Sequence, residues 1–228
     1  GPRGKRDEAA HVLDVGPESP RPGHTPIAAD AEWARLEPLL KPLVDAVDIP
    51  FSIDTYKAEV ARKAVAAGVS IINDIWGLQR DPAMADTVAE TGAGVVIMHN
   101  RDSVDPTLDI VDDMRRFFDE SLQRAEKSGI PASHIMLDPG IGFGKDKAQN
   151  LAALRGLPAL GGYKLPLLLG VSRKSLFGQI LGSSVDNRLI ATLAANLTGS
   201  ALGASIFRVH DVAEHVAAFK VQDAIINL

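Results

Sequence analysis

Ionisable and amide side chains recur where short apolar runs of the sequence end. Asp54, Asn73 and Asp138 follow three such runs, and their oxygen atoms can accept hydrogen bonds from the amino and ring N–H groups of a flat heterocycle. A second group is cationic and suits an anion, because arginine stays charged and binds phosphate through paired hydrogen bonds. Acceptors together with cations indicate a heterocycle that carries phosphate or pyrophosphate. The cationic members are Arg21, Lys174, Arg208 and His210.

A glycine-rich run, Asp138-Pro-Gly-Ile-Gly-Phe-Gly144, contains the third of these acceptors. Glycine lets the backbone approach a ligand closely, although turns use the same residue. A single Asp at a strand end is also more often a turn former or helix cap than a binding group. The repetition of polar groups at every strand end is what favours a site. The glycines are Gly140, Gly142 and Gly144, and the other polar residues are Asp14, Glu18, Asp74, His99, Ser172, Arg173 and Asp211.

Short β-type runs position these side chains, and a helical pattern follows each of them. Strict alternation of strand and helix predicts parallel strands with right-handed crossovers. The seven predicted strands lie near residues 12, 51, 70, 95, 135, 167 and 206. The helical patterns cover about 27–47, 57–67, 81–91, 108–128, 148–154, 174–181, 187–202 and 212–227.

Two architectures fit this alternation, an open doubly wound sheet and a closed barrel. An open sheet would favour a phosphate-binding G-x-G-x-x-G loop after the first strand, and none is present. We therefore predict an α/β fold of the (β/α)8 TIM-barrel class, in which the strand ends meet at one mouth. A closed barrel needs eight strands, so we expect the first βα unit to be missing from the given chain. No linker interrupts the pattern, which predicts a single, N-terminally incomplete domain over residues 1–228.

Composition excludes several classes of protein. Of the 228 residues, 46% are hydrophobic and 23% are charged, which is ordinary for a folded globule. The net charge of −5 argues against a nucleic-acid binder, and the absence of cysteine excludes disulfides, zinc-thiolate sites and thiol nucleophiles. No apolar stretch is long enough to span a membrane, and no signal peptide is recognisable. We therefore expect a cytoplasmic protein without nucleic-acid or membrane partners.

A series of motifs, in order along essentially the whole chain, resembles the dihydropteroate synthase family of pterin-binding enzymes. The resemblance implies a (β/α)8 barrel and a transferase of folate biosynthesis. The implied reaction joins 6-hydroxymethyl-7,8-dihydropterin pyrophosphate to p-aminobenzoate and releases pyrophosphate. Mg²⁺ as a cofactor, a homodimer and competition by sulfonamides are implied as well. The motifs are Asp14-Val-Gly-Pro-Glu-Ser-Pro-Arg-Pro-Gly23, Ser52-Ile-Asp-Thr55, Ile72-Asn-Asp-Ile75, Met98-His99, the glycine-rich run, Ser172-Arg-Lys174 and Arg208-Val-His-Asp211.

The resemblance also implies a role for individual residues. Those implied to contact the pterin are Asp54, Asn73, Ile75, Met98, Asp138, Phe143, Gly170 and Lys174. Those implied to hold the pyrophosphate are Arg21, Arg208 and His210, and those bordering p-aminobenzoate are Pro22, Phe143, Lys174 and Ser175. The implied catalytic residues are Asp54, Asp138, Lys174, Arg208 and His210. The aryl amine is neutral at pH 7, so we expect neither an acid–base dyad nor a covalent enzyme intermediate.

The chain departs from the family pattern near its N-terminus. Pro17 stands where the family usually has Gly, and Pro20 stands where it has Thr. The family's first strand and its Asn-x-Thr-x-Asp-Ser-Phe loop, which supplies a metal-linked Asn, are absent from the given sequence. The metal ligand is therefore unknown, and we expect the chain as given to bind pterin but to turn over poorly.

Other interpretations of the same residues remain open. Lys174 could be a Schiff-base lysine, but the neighbouring Arg173 favours a charged Lys. His99 and His210 could be metal ligands, but they lack a short ligand spacing, and His99 is better explained as a packed core residue. The alternative function is a pterin-binding module without this turnover, either of the methyltetrahydrofolate type or a sulfonamide-insensitive relative.

Overall fold

The computed structural model describes residues 4–5, 8–16, 27–182 and 184–226. Two compact units are present, one formed by Gly1–Met98 with Glu120–Ile135 and the other by His99–Asp119 with Met136–Leu228. The organisation of residues 1–228 as a single domain stays a prediction. Across the described ranges, no helix combines the length and the apolar character needed to cross a membrane.

Parallel strands in chain order build the first unit. They are β1 (Leu13–Val15), β2 (Phe51–Asp54), β3 (Ile71–Asp74) and β4 (Gly94–Met98). The interiors of β2, β3 and β4 are apolar and fully buried at Ile53, Ile72 and Val95, as expected for parallel strands covered on both faces. The register sets Asp54 beside Asn73 at the carboxyl ends of β2 and β3.

The helices of the first unit follow their predicted positions closely, apart from one start. They are α1 (Ala29–Asp45), α2 (Ala58–Ala66), α3 (Met84–Thr91) and the second half of α4 (Ile110–Ser128). The sequence predicts that α3 begins at Asp81, but it begins three residues later. The Asp81 carboxylate accepts hydrogen bonds from the backbone N–H groups of Ala58, at 2.8 Å, and Ala83, at 3.0 Å. Asp81 therefore satisfies a free N–H group at the start of α2 as well as one before α3.

The second unit contains shorter strands than the sequence predicts. These are the last three residues of β5 (Ile135–Asp138), then β6 (Leu168–Leu169) and β7 (Ile206–Phe207), and β6 pairs in parallel with β7. The apolar runs predict strands over 167–172 and 205–210. Regular pairing stops early because the backbone turns after β6, where Lys174 N–H donates to Val171 O at 3.1 Å. In total, the described residues form seven strands, as predicted.

The helices of the second unit include one that the sequence does not predict. They are the first half of α4, α5 (Lys147–Arg155), α6 (Leu157–Leu160), α7 (Ser175–Leu181), α8 (Leu189–Ala201) and α9 (Val212–Ile226). The short α6 is absent from the prediction, in which the preceding helical pattern ends near residue 154. Asp146 caps α5 in a capping box with Gln149, which determines where the chain leaves the glycine-rich run.

Candidate active site

The first unit presents two buried acceptors at neighbouring strand ends. Asp54 is 9% exposed and Asn73 is 6% exposed. Within the described part of the chain, the side-chain oxygen Oδ1 of Asn73 is buried without a hydrogen-bond partner. Leaving such an atom unpaired costs about 1–3 kcal/mol, so it is suited to accept an N–H group from a ligand. A Cβ atom at Gly16 would lie 3.2 Å from Asp54 Cβ, so the chain after β1 passes close to this carboxylate.

The other polar residues of the first unit have structural partners. Asp74 accepts hydrogen bonds from the backbone N–H groups of Trp76, at 2.8 Å, and Leu78, at 2.7 Å, and burial raises its pKa to about 6. It therefore fixes the turn after Asn73 and fits the turn-forming interpretation. Asp14 accepts a hydrogen bond from the Ser52 hydroxyl. The predicted apolar neighbours of the pterin, Ile75 and Met98, are 8% and 4% exposed.

Asp138 is the buried acid of the second unit, with 5% of its surface exposed. Its Oδ1 atom accepts the Gly140 N–H at 2.7 Å. Burial raises the pKa of Asp138, and this hydrogen bond and the charges of Lys174, Lys145 and Arg208 oppose that rise. A Cβ atom at Gly170 would lie 3.7 Å from the second carboxylate oxygen. The structure thus places the predicted residues Gly170, Lys174 and Arg208 around Asp138.

The glycines after Asp138 are required chiefly by the protein's own packing. Gly140 has φ +63°, and a Cβ atom there would lie 1.9 Å from the carbonyl oxygen of His99. A Cβ atom at Gly144 would lie 2.4 Å from Arg101 Cβ. The sequence suggests that these glycines admit a ligand, whereas two of the three admit neighbouring parts of the same chain. Gly142 is exposed, and the three atoms nearest to a Cβ there belong to the flexible side chain of Lys174.

Phe143 and Lys174 form a contact that the sequence predicts only through the family resemblance. The Lys174 ammonium lies 4.2 Å from the centroid of the Phe143 ring, and both side chains are half-buried. The ammonium thus makes a cation–π contact, which argues against the Schiff-base interpretation. The predicted p-aminobenzoate residue Ser175 follows as the exposed first residue of α7.

The segments after β6 and β7 are joined by side chains. His210 Nδ1 lies 2.8 Å from Ser172 Oγ, and its backbone N–H donates to the same oxygen at 3.2 Å. Arg173 donates to both carboxylate oxygens of Asp211, through Nε at 3.1 Å and through Nη2, which lowers the pKa of Asp211. Arg208 and His210 lie beyond the regular strand, and both are exposed. Strand alternation therefore does not determine their direction.

His99 is packed, as predicted. It is fully buried, its Nε2 atom lies 3.1 Å from Asp113 Oδ2, and its ring contacts Phe117 edge-on at 5.0 Å between centroids. Burial lowers its pKa to about 3, which keeps the ring neutral. Among the described residues, no three His, Cys, Asp or Glu side chains gather in a way that could hold a metal ion.

Lys145 is the site residue that sequence reasoning misses. It follows the glycine-rich run, is only 7% exposed, and donates to the carbonyl oxygens of Gly140, at 2.8 Å, and Phe143, at 3.1 Å. Burial lowers its pKa to about 7. No signal in the sequence marks this burial, because a lysine beside a helix start is ordinarily solvated. The predicted residues Arg21 and Pro22, with Pro17, Glu18 and Pro20, lie outside the described residues.

Comparison with known proteins yields one family. The model of a family described as pterin binding enzyme matches residues 4–210. The chain is 41% identical over 222 residues to the dihydropteroate synthase of Clostridium beijerinckii, covering 97% of this chain and 82% of that protein. A Clostridium difficile dihydropteroate synthase solved with pteroic acid superimposes with a TM-score of 0.95 at 42% identity, covering 99% of this chain and 86% of the other.

A second solved structure agrees with the first. Xanthomonas albilineans dihydropteroate synthase with 4-aminobenzoic acid superimposes with a TM-score of 0.95 at 38% identity, covering 99% of this chain and 83% of the other. At these identities, the similarity extends beyond the fold to the family. The predicted α/β barrel class and the resemblance drawn from the motifs are both confirmed.

Proposed function

The chain belongs to the dihydropteroate synthases, transferases of folate biosynthesis, and from this premise we propose how its own residues carry the reaction. The substrates are 6-hydroxymethyl-7,8-dihydropterin pyrophosphate and p-aminobenzoate, and the products are 7,8-dihydropteroate and pyrophosphate. The observation that carries the assignment is the match to enzymes of this name over nearly the whole chain.

We propose that Asp54, Asn73 and Asp138 accept hydrogen bonds from the pterin ring. All three are buried, and the unpaired Oδ1 atom of Asn73 supports this role most directly. A buried acceptor discriminates strongly for a ligand N–H, because without one it stays unsatisfied. The proposed apolar and backbone boundary of the ring consists of Ile75, Met98, Phe143 and Gly170, with Lys174 above Phe143.

The reaction separates charge, and charged residues stabilise both the pterin and the leaving pyrophosphate. The C–O bond between the pterin methylene and pyrophosphate breaks, and its electron pair leaves with pyrophosphate. The amine nitrogen of p-aminobenzoate forms the new C–N bond and then loses one proton. Asp54 and Asp138 stabilise the positive charge that develops on the pterin, while Arg208 and His210 stabilise the leaving group. No covalent enzyme intermediate is involved.

The remaining assignments extend the same proposal. Arg21 assists at the pyrophosphate, and Pro22, Phe143, Lys174 and Ser175 border p-aminobenzoate, where a sulfonamide competes. When bound, Mg²⁺ would neutralise part of the negative charge of pyrophosphate. We also propose a cytoplasmic homodimer. Exposed apolar residues of α8 and α9 support the dimer, because an interface would remove their side chains from water: Ile190 is 81% exposed, Val221 61% and Ile225 68%.

One titration separates turnover from the alternative of pterin binding alone. The chain is given the pterin pyrophosphate with and without p-aminobenzoate, and pyrophosphate release is measured. Slow release that depends on p-aminobenzoate and is suppressed by a sulfonamide is the expected result. Saturable pterin binding without any release would favour the non-catalytic module. The name dihydropteroate synthase carried by the curated relative favours turnover.

A further inference from the structure

A buried ammonium group that the reaction does not use holds the glycine-rich run. Lys145 Nζ donates to Gly140 O at 2.8 Å and Phe143 O at 3.1 Å, and His99 O lies at 3.5 Å. Lysine is almost never this buried unless it is paired. Removing an ammonium group from water costs free energy, so packing alone does not explain a buried lysine at this position.

The two carbonyl groups that Lys145 binds belong to residues that act on the pterin end. Gly140 donates its N–H to Asp138, and Phe143 places its ring beneath the Lys174 ammonium. Movement of Gly140 would weaken the hydrogen bond to Asp138, and movement of Phe143 would shift the contact with Lys174. One ammonium therefore fixes both groups.

Asn150 holds the same run from its other side. Its Oδ1 atom accepts the Gly142 N–H at 2.6 Å, and its Nδ2 atom donates to Lys145 O at 3.1 Å. Asn150 is buried and neutral. The chain thus offers a matched pair of loop contacts, one charged and one uncharged.

We propose that Lys145 is a positioning residue of the pterin end, which holds Gly140 against Asp138 and Phe143 beneath Lys174. The proposal rests on the proposed function, in which Asp138 and Lys174 contact the pterin. Lys145 also acts through its charge. Its ammonium opposes the effect of burial on Asp138 and helps to keep that carboxylate ionised.

The charge makes a pH measurement decisive. Asp138 faces Lys145, Lys174 and Arg208, and Lys145 faces Asp138, Asp113, Arg101 and Lys174. Removing only the Lys145 charge raises the pKa of Asp138. Activity that needs the ionised carboxylate is then lost at a higher pH as the solution is acidified. A purely structural role predicts a lower melting temperature but no change in the acid limb of the pH profile of kcat/KM.

The test compares Lys145→Met and Lys145→Gln with Lys147→Met, which removes an exposed lysine nearby. Both Lys145 variants should raise KM for the pterin pyrophosphate by about tenfold. They should also move the acid limb of kcat/KM up by about one pH unit. Asn150→Ala should raise KM without moving the limb. Lys145→Gln keeps a donor at the carbonyl groups and carries the test if the Met variant does not fold. KM values and pH profiles equal to those of Lys147→Met would overturn the proposal.

A parallel variant separates this proposal from the function beneath it. Asp138→Asn should lose pterin binding, measured by calorimetry. If Asp138→Asn binds pterin like the unaltered chain, the role of Asp138 fails and the proposal for Lys145 fails with it. If Asp138→Asn loses binding while the Lys145 variants match their control, only the role of Lys145 is wrong.

Discussion

At the scale of single residues, hydrogen-bond partners separate the two polar residues at the carboxyl end of β3. Asp74 and Asn73 are adjacent, polar and buried, yet Asp74 is occupied by backbone N–H groups while the Asn73 oxygen is unpaired. The sequence cannot separate the two, because both occupy a strand end. It does identify the position, because apolar strands end in polar residues. The burial of Lys145 is unpredictable for a related reason: its partners are backbone carbonyls, which have no signature in the sequence.

Replacement of Asn73 by Ala should weaken pterin binding by about 1–3 kcal/mol, because a ligand N–H then lacks its acceptor. The melting temperature should change little, since Oδ1 has no partner in the described structure to lose. The control is Asn196→Ala, which removes the buried amide whose Nδ2 lies 2.9 Å from His215 Nε2. It should lower the melting temperature and leave pterin affinity intact. The opposite pattern would make Asn73 a structural residue.

Replacement of Arg208 by Ala should weaken binding of the pterin pyrophosphate far more than binding of the plain hydroxymethyl pterin. The reason is that its charge serves the leaving group, and a hydrogen bond to a charged group contributes about 1.5–3 kcal/mol. Calorimetry with both ligands measures the difference. Arg124→Ala, which removes an exposed arginine paired with Glu120, is the control. Equal losses for the two ligands would remove Arg208 from the leaving-group site.

At the scale of elements, positions were predictable and lengths were not. The centres of the strands follow from apolar runs, since burial is a property of the residues themselves. The extent of β6 and β7 depends on pairing between segments far apart in sequence, and the turn at Val171 to Lys174 ends it early. Beyond the last paired residues of β6 and β7, side-chain contacts connect the two segments. The Arg173–Asp211 pair connects the segment with Lys174 to the segment with His210.

Replacement of Asp211 by Asn should break this connection and destabilise the protein by about 1 kcal/mol at pH 7. Because Arg173 lowers the folded-state pKa of Asp211, its stabilisation is present above the ordinary Asp pKa. It is lost as the pH falls through the lowered folded-state value. Melting temperatures of the two proteins should therefore differ at pH 7 and converge at a pH below the folded-state pKa of Asp211. Asp45→Asn, in an exposed pair with Lys41, should give little difference at either pH, and a similar effect there would remove the special role of the Arg173 pair.

At the scale of the whole molecule, the fold class follows from the strict alternation of strand and helix, and the family follows from the motifs. The surfaces of α8 and α9 bear on how the chain assembles. Helices α8 and α9 contact each other through Gln222 and the Leu197 carbonyl at 3.2 Å and still expose large apolar side chains. The arrangement of apolar residues along α8 and α9 differs from that of a helix that buries one face and exposes a polar face to water.

Replacement of Ile190 by Lys should convert the proposed dimer to monomer, because a charge in an apolar interface is costly to bury. Sedimentation of the unaltered chain should give twice the mass of one chain, and the variant should give the mass of one. The control is Leu39→Lys on α1, where the apolar side chain is 61% exposed. If the unaltered chain sediments as a monomer at all concentrations, the proposed dimer is wrong.

The close packing of the glycine-rich run limits the ways in which the protein can change under selection. Any side chain at Gly140 would collide with a backbone oxygen, and any at Gly144 would collide with Arg101. Single substitutions at these two positions would disrupt the run before they could exclude an inhibitor that binds there. A Cβ atom at Gly142 would meet only the side chain of Lys174 among its three nearest atoms, but the φ of +86° there is one that other residues rarely adopt. An inhibitor held by the backbone of this run would therefore leave few mutational routes to resistance.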